Sequence, residues 1–397
     1  MGKLICNIYI FLWCLYGLQG TLYPTGSILA RFLLVVLLLF SLYCVIVATS
    51  QIKMPSLLKM VLCLIIVFSV YGFVNILYGN GAENKVPSYY YLRGIYCSFL
   101  PLIVFYMFSK QGSLTENMLQ RWLFVFLMIG ITQFYRTQKL NLEALAERES
   151  NMEEATNNAG YIMLSIIPLI PLFHKRPLIQ YSILSVCMVY VLLGMKRGAI
   201  IIGALCTTWF FFITLKSNRL STKQVLRVVL TIIVVVAAVF FVQYMLQNSD
   251  YFNYRLEKTM EGDSSGRDAL FSTYYNFFLN QSNLLRIAFG NGADATLRKF
   301  GEFAHNDWLE IAINNGVFVL LLYAVYWVVL FRTIRKSRKR NPTAHIILGL
   351  FFIVYFMKTF FSMSYNDVTI YSCAALGYAL ACLDSPETAS SSTMIEQ

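Results

Sequence analysis

Charge is scarce in this chain. Only 13% of its 397 residues are Asp, Glu, Lys or Arg, where a soluble domain carries roughly one quarter. That excludes the two or three soluble domains that the length alone would suggest. Histidine is rarer still, with three in all. The nine cysteines show no CxxC and no metal-ligand spacing. They sit mostly in or beside apolar runs and read as small buried hydrophobes. The expected outer segments contain no DxD, no HExxH and no Cys/His cluster. The sequence therefore gives no support for a metal centre, with Asp307 and Glu310 the one pair left open as ligands. No internal repeat of fixed period is present either.

Apolar sequence is abundant: 58% of the residues are hydrophobic. It falls in runs of roughly 17 to 25 residues, the length that crosses a ~30 Å hydrocarbon layer as helix. The predicted spans are 5–19, 27–48, 57–79, 92–109, 119–135, 158–174, 178–195, 198–215, 226–247, 306–331, 344–362 and 367–383. The expected fold is an all-α polytopic transmembrane bundle of about twelve spans over 1–383. The Ser/Thr-rich tail, 384–397, is expected to be disordered and cytoplasmic. The first run holds Tyr9, Trp13 and Tyr16 and lacks a small-residue cleavage site, so it reads as a retained helix rather than a signal peptide.

A net charge of +12 reads here as topology, not as a nucleic-acid surface. Lys3, Lys53, Lys59, Lys110, Arg121, Lys175, Arg176, Lys216, Arg219, Lys223 and Arg227 fall on one set of short loops and termini. Arg332, Arg335, Lys336, Arg338, Lys339 and Arg340 join them. That side is cytoplasmic by the positive-inside rule, and both termini lie on it. The long loop 248–304, between the ninth and tenth spans, then faces outward. Within it Leu270, Phe271, Tyr274, Tyr275 and Phe278 recur at helical spacing. An interfacial helix and a loop helix packed on the bundle fit that pattern equally.

Of the three histidines, only His305 falls on the outer side. It opens His305-Asn306-Asp307-Trp308-Leu309-Glu310, and Asn306, Glu310 and Asn314 follow at four-residue spacing. A polar stripe entering an apolar helix is costly unless it lines a wet cavity or binds something. The turn Gly194-Met195-Lys196-Arg197-Gly198 also lies on the outer side. Two cations there suit snorkelling to headgroups or an anion site, and the tightness of the turn favours the anion site, with Gly198 allowing close backbone approach. Arg267 precedes the loop helix, and Arg93 stands near the outer end of the fourth span. Asn158, at the outer start of the sixth span, suits a sugar contact or a plain helix cap.

Lys196-Arg197-Gly198, then Gly266-Arg267-Asp268-Ala269-Leu270-Phe271, then Gly290-Asn291-Gly292 with His305-Asn306-x-x-Leu309 and Asn315-Gly316 come in a set order. Together they resemble the motifs of the O-antigen ligase and O-antigen polymerase superfamily. Those bacterial inner-membrane proteins act on glycans carried by undecaprenyl diphosphate. The resemblance spans about 190–330. It implies a GT-C-like, metal-independent glycosyltransferase without cofactor. Arg197 and Arg267 would hold the donor's diphosphate, and His305 would take the proton of an acceptor hydroxyl or orient that hydroxyl. Lys196, Gly198, Asn306, Asp307, Glu310, Arg93 and Asn158 would serve substrate binding. The implied partners are an undecaprenyl diphosphate-linked glycan donor, a glycan or lipid A core acceptor, membrane lipid and a chain-length regulator protein, with no nucleic acid. Polymerase and ligase remain alternatives within the family. Outside it stand a lipid-linked glycan flippase or other transporter, and a non-enzymatic scaffold.

Overall fold

A computed structural model describes residues 2–78, 89–147, 156–216, 222–260 and 267–384. Several features expected from the sequence lie outside these residues: Arg219, Ser264-Ser265-Gly266 and the tail beyond Asp384. The regular elements among the described residues are all helices, with no strand. Its helices are α1 (Gly2–Gly17), α2 (Ile28–Gln51), α3 (Ser56–Tyr78), α4 (Tyr89–Lys110), α5 (Glu116–Glu147), α6 (Gly160–Ile166), α7 (Pro177–Leu193), α8 (Arg197–Leu215) and α9 (Thr222–Asn248). They continue with α10 (Asp250–Met260), α11 (Arg267–Leu279), α12 (Leu284–Phe289), α13 (Ala295–Phe300), α14 (Asp307–Arg340), α15 (Pro342–Phe361) and α16 (Ile370–Leu383). A 3-10 segment, Ile167–Phe173, continues α6.

Eight of the helices (α2, α3, α4, α5, α8, α9, α14 and α15) are long and apolar enough to cross a membrane. They mark the chain as a membrane protein. Four further apolar stretches, Gly2–Gly17, Gly160–Phe173, Pro177–Leu193 and Ile370–Leu383, are shorter. Each predicted span corresponds to one of these helices. The largest departure is α5, which runs to Glu147, well past the predicted end at 135. Its last turns are polar, and hydropathy alone ends a span where the apolar residues stop.

The chain divides into two compact units. The first comprises Met1–Leu34, Leu114–Ser264 and Ile346–Val354. Here α5 is the post against which the N-terminus is fixed. Trp122 donates its indole N–H to Asn7 Oδ1 at 2.9 Å, and Gln133 donates to the Gly17 carbonyl at 2.7 Å. Arg136 donates to the Gln19 carbonyl at 2.8 Å and to Thr25 Oγ1 at 2.9 Å. The 3-10 segment owes its form to Pro168 and Pro171, which lack the N–H an α-helix would use, and all seven of its residues are buried. By contrast, none of the apolar window of α9 is buried. Its Val and Ile residues face outward, as a lipid-facing helix requires.

The second unit comprises Val35–Ser113, Ser265–His345 and Tyr355–Gln397. Its closest pair is α4 with α16. Cys373, Gly377 and Ala381 recur every four residues and are small, which lets two membrane helices approach closely. A Cβ on Gly377 would lie 2.7 Å from the Tyr106 amide nitrogen. At one end of this pair Tyr106 donates to Asp384 Oδ2 at 2.6 Å, and Lys110 donates to the Asp384 carbonyl at 2.5 Å. The loop helix α11 packs within the unit: Tyr274 is buried with Ala304 and Ile313, and Leu270, Phe277 and Phe278 pack around them. Tyr275 is exposed, so the expected apolar face is rotated by part of a turn.

Candidate functional site

In the second unit one end of the helices carries a buried polar layer, built around the start of α14. Asn306 caps the helix, its Oδ1 accepting from the Trp308 and Leu309 amides at 3.0 and 3.2 Å. One turn on, Glu310 is fully buried. Its Oε2 accepts the Ala304 N–H at 2.7 Å, and its Oε1 accepts from Asn314 Nδ2 at 2.8 Å and from the Thr296 hydroxyl. Asn314 in turn accepts the Thr296 N–H at 3.0 Å. Buried Asp307 accepts from the Ser364 and Tyr365 amides at 2.8 and 3.0 Å and from the Tyr323 hydroxyl at 2.6 Å. The polar stripe is therefore a set of pins. Glu310 holds the loop before the helix, and Asp307 holds the turn between α15 and α16. A buried carboxylate is tolerated when its lone pairs are filled in this way.

His305 stands between two of these pins. Its neighbour Ala304 is held by Glu310, and its neighbour Asn306 is the cap. The residue itself is exposed and sits at φ 51, in the left-handed region. Left-handed backbone at a non-glycine residue costs about 1 kcal/mol or more and persists when the surroundings over-determine it. The result is an imidazole presented at the surface on a backbone with little freedom.

Further along, α14 kinks at Gly316 (φ 81, ψ 177). The carbonyls released by the kink are taken up by the loop and by α3. Ile313 O accepts the Asn291 N–H at 2.9 Å and Asn291 Nδ2 at 3.0 Å, and Asn314 O accepts the Gly292 N–H at 2.9 Å. Tyr71 donates to Asn315 O at 2.9 Å, and Asn315 Nδ2 donates to the Tyr91 hydroxyl at 3.2 Å.

Beside this joint lies Asp294, buried and also left-handed (φ 54), whose side chain does not cap the helix that follows it. Burial lifts its carboxyl to about 6, although Arg298 draws it the other way. Arg298 donates to the Asn291 carbonyl at 3.1 Å and to Asn75 Oδ1. Its own pKa is lowered by burial and partly restored by Asp294. Burial, with Arg286 and Arg298 nearby, also lowers that of Lys299. Among the residues singled out from the sequence, Arg93 stacks on the Tyr90 ring, 4.6 Å from its centre. Arg267 is the first residue of α11 and is partly exposed.

The remaining predicted residues belong to the first unit. Lys196 is the N-cap of α8, and Arg197 is its first residue, both partly exposed; Gly198 is buried. A cation at a helix N-terminus opposes the macrodipole, so helix stability gives no reason for Arg197 to be there. The turn is braced by Asn157 rather than by its exposed neighbour Asn158. The Asn157 N–H donates to the Gly194 carbonyl at 2.7 Å. Its side chain donates to the Phe134 carbonyl at 2.9 Å and Gln138 Oε1 at 3.1 Å, and accepts the Ala159 N–H at 2.8 Å. Met195, at φ 49, lines a cavity of about 340 Å³ with Phe134, Tyr135, Gln138, Tyr244 and Asn248.

The structure keeps His305, Asn306, Asp307 and Glu310 together at the start of α14 in the second unit, and Lys196, Arg197 and Gly198 at the start of α8 in the first. Asp294, Thr296, Arg298 and Tyr365 the sequence reading missed. The signal within reach was Asn314-Asn315-Gly316: two amides and a glycine inside an apolar helix mark a kink whose carbonyls need donors. No group of three or more His, Cys, Asp or Glu side chains converges as a metal site among the described residues. No protein-family model matches the chain, and no curated protein matches its sequence.

Proposed function

We propose that this protein is a membrane glycosyltransferase that moves a glycan from a polyprenyl diphosphate carrier to an acceptor sugar hydroxyl on the extracytoplasmic face. The observation that carries the reading is the exposed imidazole of His305, held in a left-handed conformation between the Glu310 pin and the Asn306 cap. A general base must be presented in fixed geometry to a proton it can reach. An interfacial histidine of merely structural use needs no strained backbone.

In the proposed reaction the acceptor oxygen attacks the anomeric carbon. The bond from that carbon to the diphosphate oxygen breaks, and the diphosphate leaves with the carrier lipid. His305 receives the proton of the acceptor hydroxyl. The similarity of Arg197 and Arg267 to the superfamily's arginines assigns both to the diphosphate, where guanidinium forks offset the charge that develops on departure. The diphosphate is already an activated leaving group, so the mechanism calls for no nucleotide. The same reading carries the twelve spans, the outward loop 248–304, cytoplasmic termini and a bacterial inner membrane, since a polyprenyl-linked glycan is presented on the outer face of that membrane.

The test is a glycan gel of a strain lacking the protein, with the lipid-linked fraction extracted separately. Single repeats on core lipid mean a polymerase, and long chains stranded on the carrier mean a ligase. Both fractions matching the parent, in a strain shown to carry no second such enzyme, would remove the glycosyltransferase reading and favour a transporter.

A further inference from the structure

Residues 311–366 contain no Asp and no Glu. Within that stretch α14 stays apolar from Gly316 as far as Phe331 and then carries Arg332, Arg335, Lys336, Arg338, Lys339 and Arg340, all exposed. Ile334 and Ser337, on the opposite side of the same turns, are buried. At 100° per residue the six cations cover an arc of roughly 200°.

The back of the arc is fixed. Ser337 Oγ donates to the Ile334 carbonyl at 2.7 Å, while His345 Nδ1 lies 3.0 Å from the same carbonyl and 3.2 Å from Ser337 Oγ. Asn341 ends α14 and caps α15, its Oδ1 accepting the Ala344 N–H at 2.9 Å. The cationic side chains thus project from a braced helix end, not from a loose loop.

The position of the arc along the helix identifies its partner. From the kink at Gly316 to Phe331 the helix rises about 23 Å, most of the thickness of a hydrocarbon core. The basic turns begin where that apolar run stops, so the first of them lies in the headgroup layer. Membrane orientation requires only that Lys and Arg be present in a short loop. It does not require them to share one arc of a folded helix whose other side is braced, with four of the six being arginines suited to phosphate oxygens.

We propose that this arc is a docking surface for anionic phospholipid headgroups of the leaflet it faces. Juxtamembrane clusters of four to eight basic residues hold such lipids through surface charge that fades within a Debye length. The surface is independent of the glycosyltransferase reading, and its test needs no glycan.

The full-length protein, purified in neutral detergent, is given equal phosphatidylglycerol and phosphatidylcholine. Lipid retained after washing is then quantified by mass spectrometry. The expected result is enrichment of phosphatidylglycerol by about tenfold, falling to parity in 1 M salt. It should fall likewise in the quadruple variant R335Q/K336Q/R338Q/K339Q and stay unchanged in K139Q, a change at an exposed lysine elsewhere. If the quadruple variant does not fold, R335Q and R338Q singly should each reduce the enrichment, and the salt titration of the unaltered protein stands alone. Enrichment that survives both salt and neutralisation would overturn the proposal. So would parity in the unaltered protein, and so would an acidic protein that co-purifies through the arc while the lipid ratio stays at parity.

Discussion

Gly290 and Gly316 adopt nearly the same backbone conformation (φ 78, ψ −170 and φ 81, ψ 177) and lie backbone against backbone. A Cβ on Gly316 would stand 2.5 Å from the Gly290 amide nitrogen, and one on Gly290 would stand 2.3 Å from the Asn314 carbonyl oxygen. That conformation is essentially confined to glycine. The two residues therefore form one joint: the kink of α14 frees carbonyls, and the Gly290-Asn291-Gly292 turn comes close enough to fill them. Gly290→Ala and Gly316→Ala should each cost roughly 3 kcal/mol or more, from a forbidden conformation plus a backbone clash. Thermal unfolding of the purified variants in detergent reads this out. A loss near the ~1 kcal/mol of an ordinary strained position would mean that the two backbones do not meet.

The conformation of His305 separates its chemistry from its contribution to folding. Glycine tolerates φ 51 without strain but gains freedom in the unfolded chain, so His305→Gly should change stability by no more than about 1 kcal/mol. Glycan transfer by the same variant should be abolished. A folded, inserted His305→Gly protein that still supports normal surface glycan would remove the imidazole from the mechanism.

Much of this was written in the sequence and some of it was not, for reasons that differ by residue. Apolar length alone places each predicted span on helical structure, and eight of those helices are long and apolar enough to cross a membrane, where a segment must satisfy its backbone internally. Four-residue spacing puts Glu310 and Asn314 on one face, and Glu310 does bond Asn314; Asn306 is the extended N-cap before that face begins. Spacing says nothing of what meets that face. Thr296 comes from 14 residues upstream of Glu310, and the amides that bind Asp307 come from residues 57 and 58 positions downstream of it. The stripe looked like an open ligand site for that reason, although these acceptors are occupied by the protein's own donors. The Asn157-Asn158 pair illustrates a further limit. Either amide fits a helix start by sequence, and only the packing of α5 decides that Asn157 is buried while Asn158 stays exposed.

Glu310 should behave as a structural group with a local consequence. Glu310→Ala leaves the Ala304 N–H, the Thr296 hydroxyl and one Asn314 N–H without an acceptor in a buried layer. The expected loss is about 3 kcal/mol or more. Glu310→Gln keeps one acceptor oxygen but sets an amide donor against another donor, so an intermediate loss follows. Glu143→Ala, at a half-exposed surface carboxylate paired with Lys139 at 3.8 Å, should shift the melting temperature little. Equal shifts for Glu310→Ala and Glu143→Ala would show that the buried layer is not formed.

Asp294 gives the pH dependence, with a definite sign. Burial raises its carboxyl from 3.8 to about 6 in the folded protein, against the pull of Arg298. Between those two values the folded state holds more protons than the unfolded one, so stability falls as pH rises through that window. Below it the carboxyl is protonated in both states and the penalty vanishes. Above it the full penalty applies, on the order of 3 kcal/mol for a shift of about two units. Asparagine matches the shape of aspartate, tolerates the left-handed backbone that Asp294 adopts and carries no charge to desolvate. Asp294→Asn should therefore raise the melting temperature at pH 7 and flatten its slope between pH 4 and 6. The Asn75 and Asn291 bonds would still hold Arg298. Melting temperatures of both proteins across pH 4 to 8 decide the matter. A variant less stable than the parent at pH 7 would mean that the Arg298 attraction outweighs the burial of the carboxylate, reversing the electrostatics described for this loop.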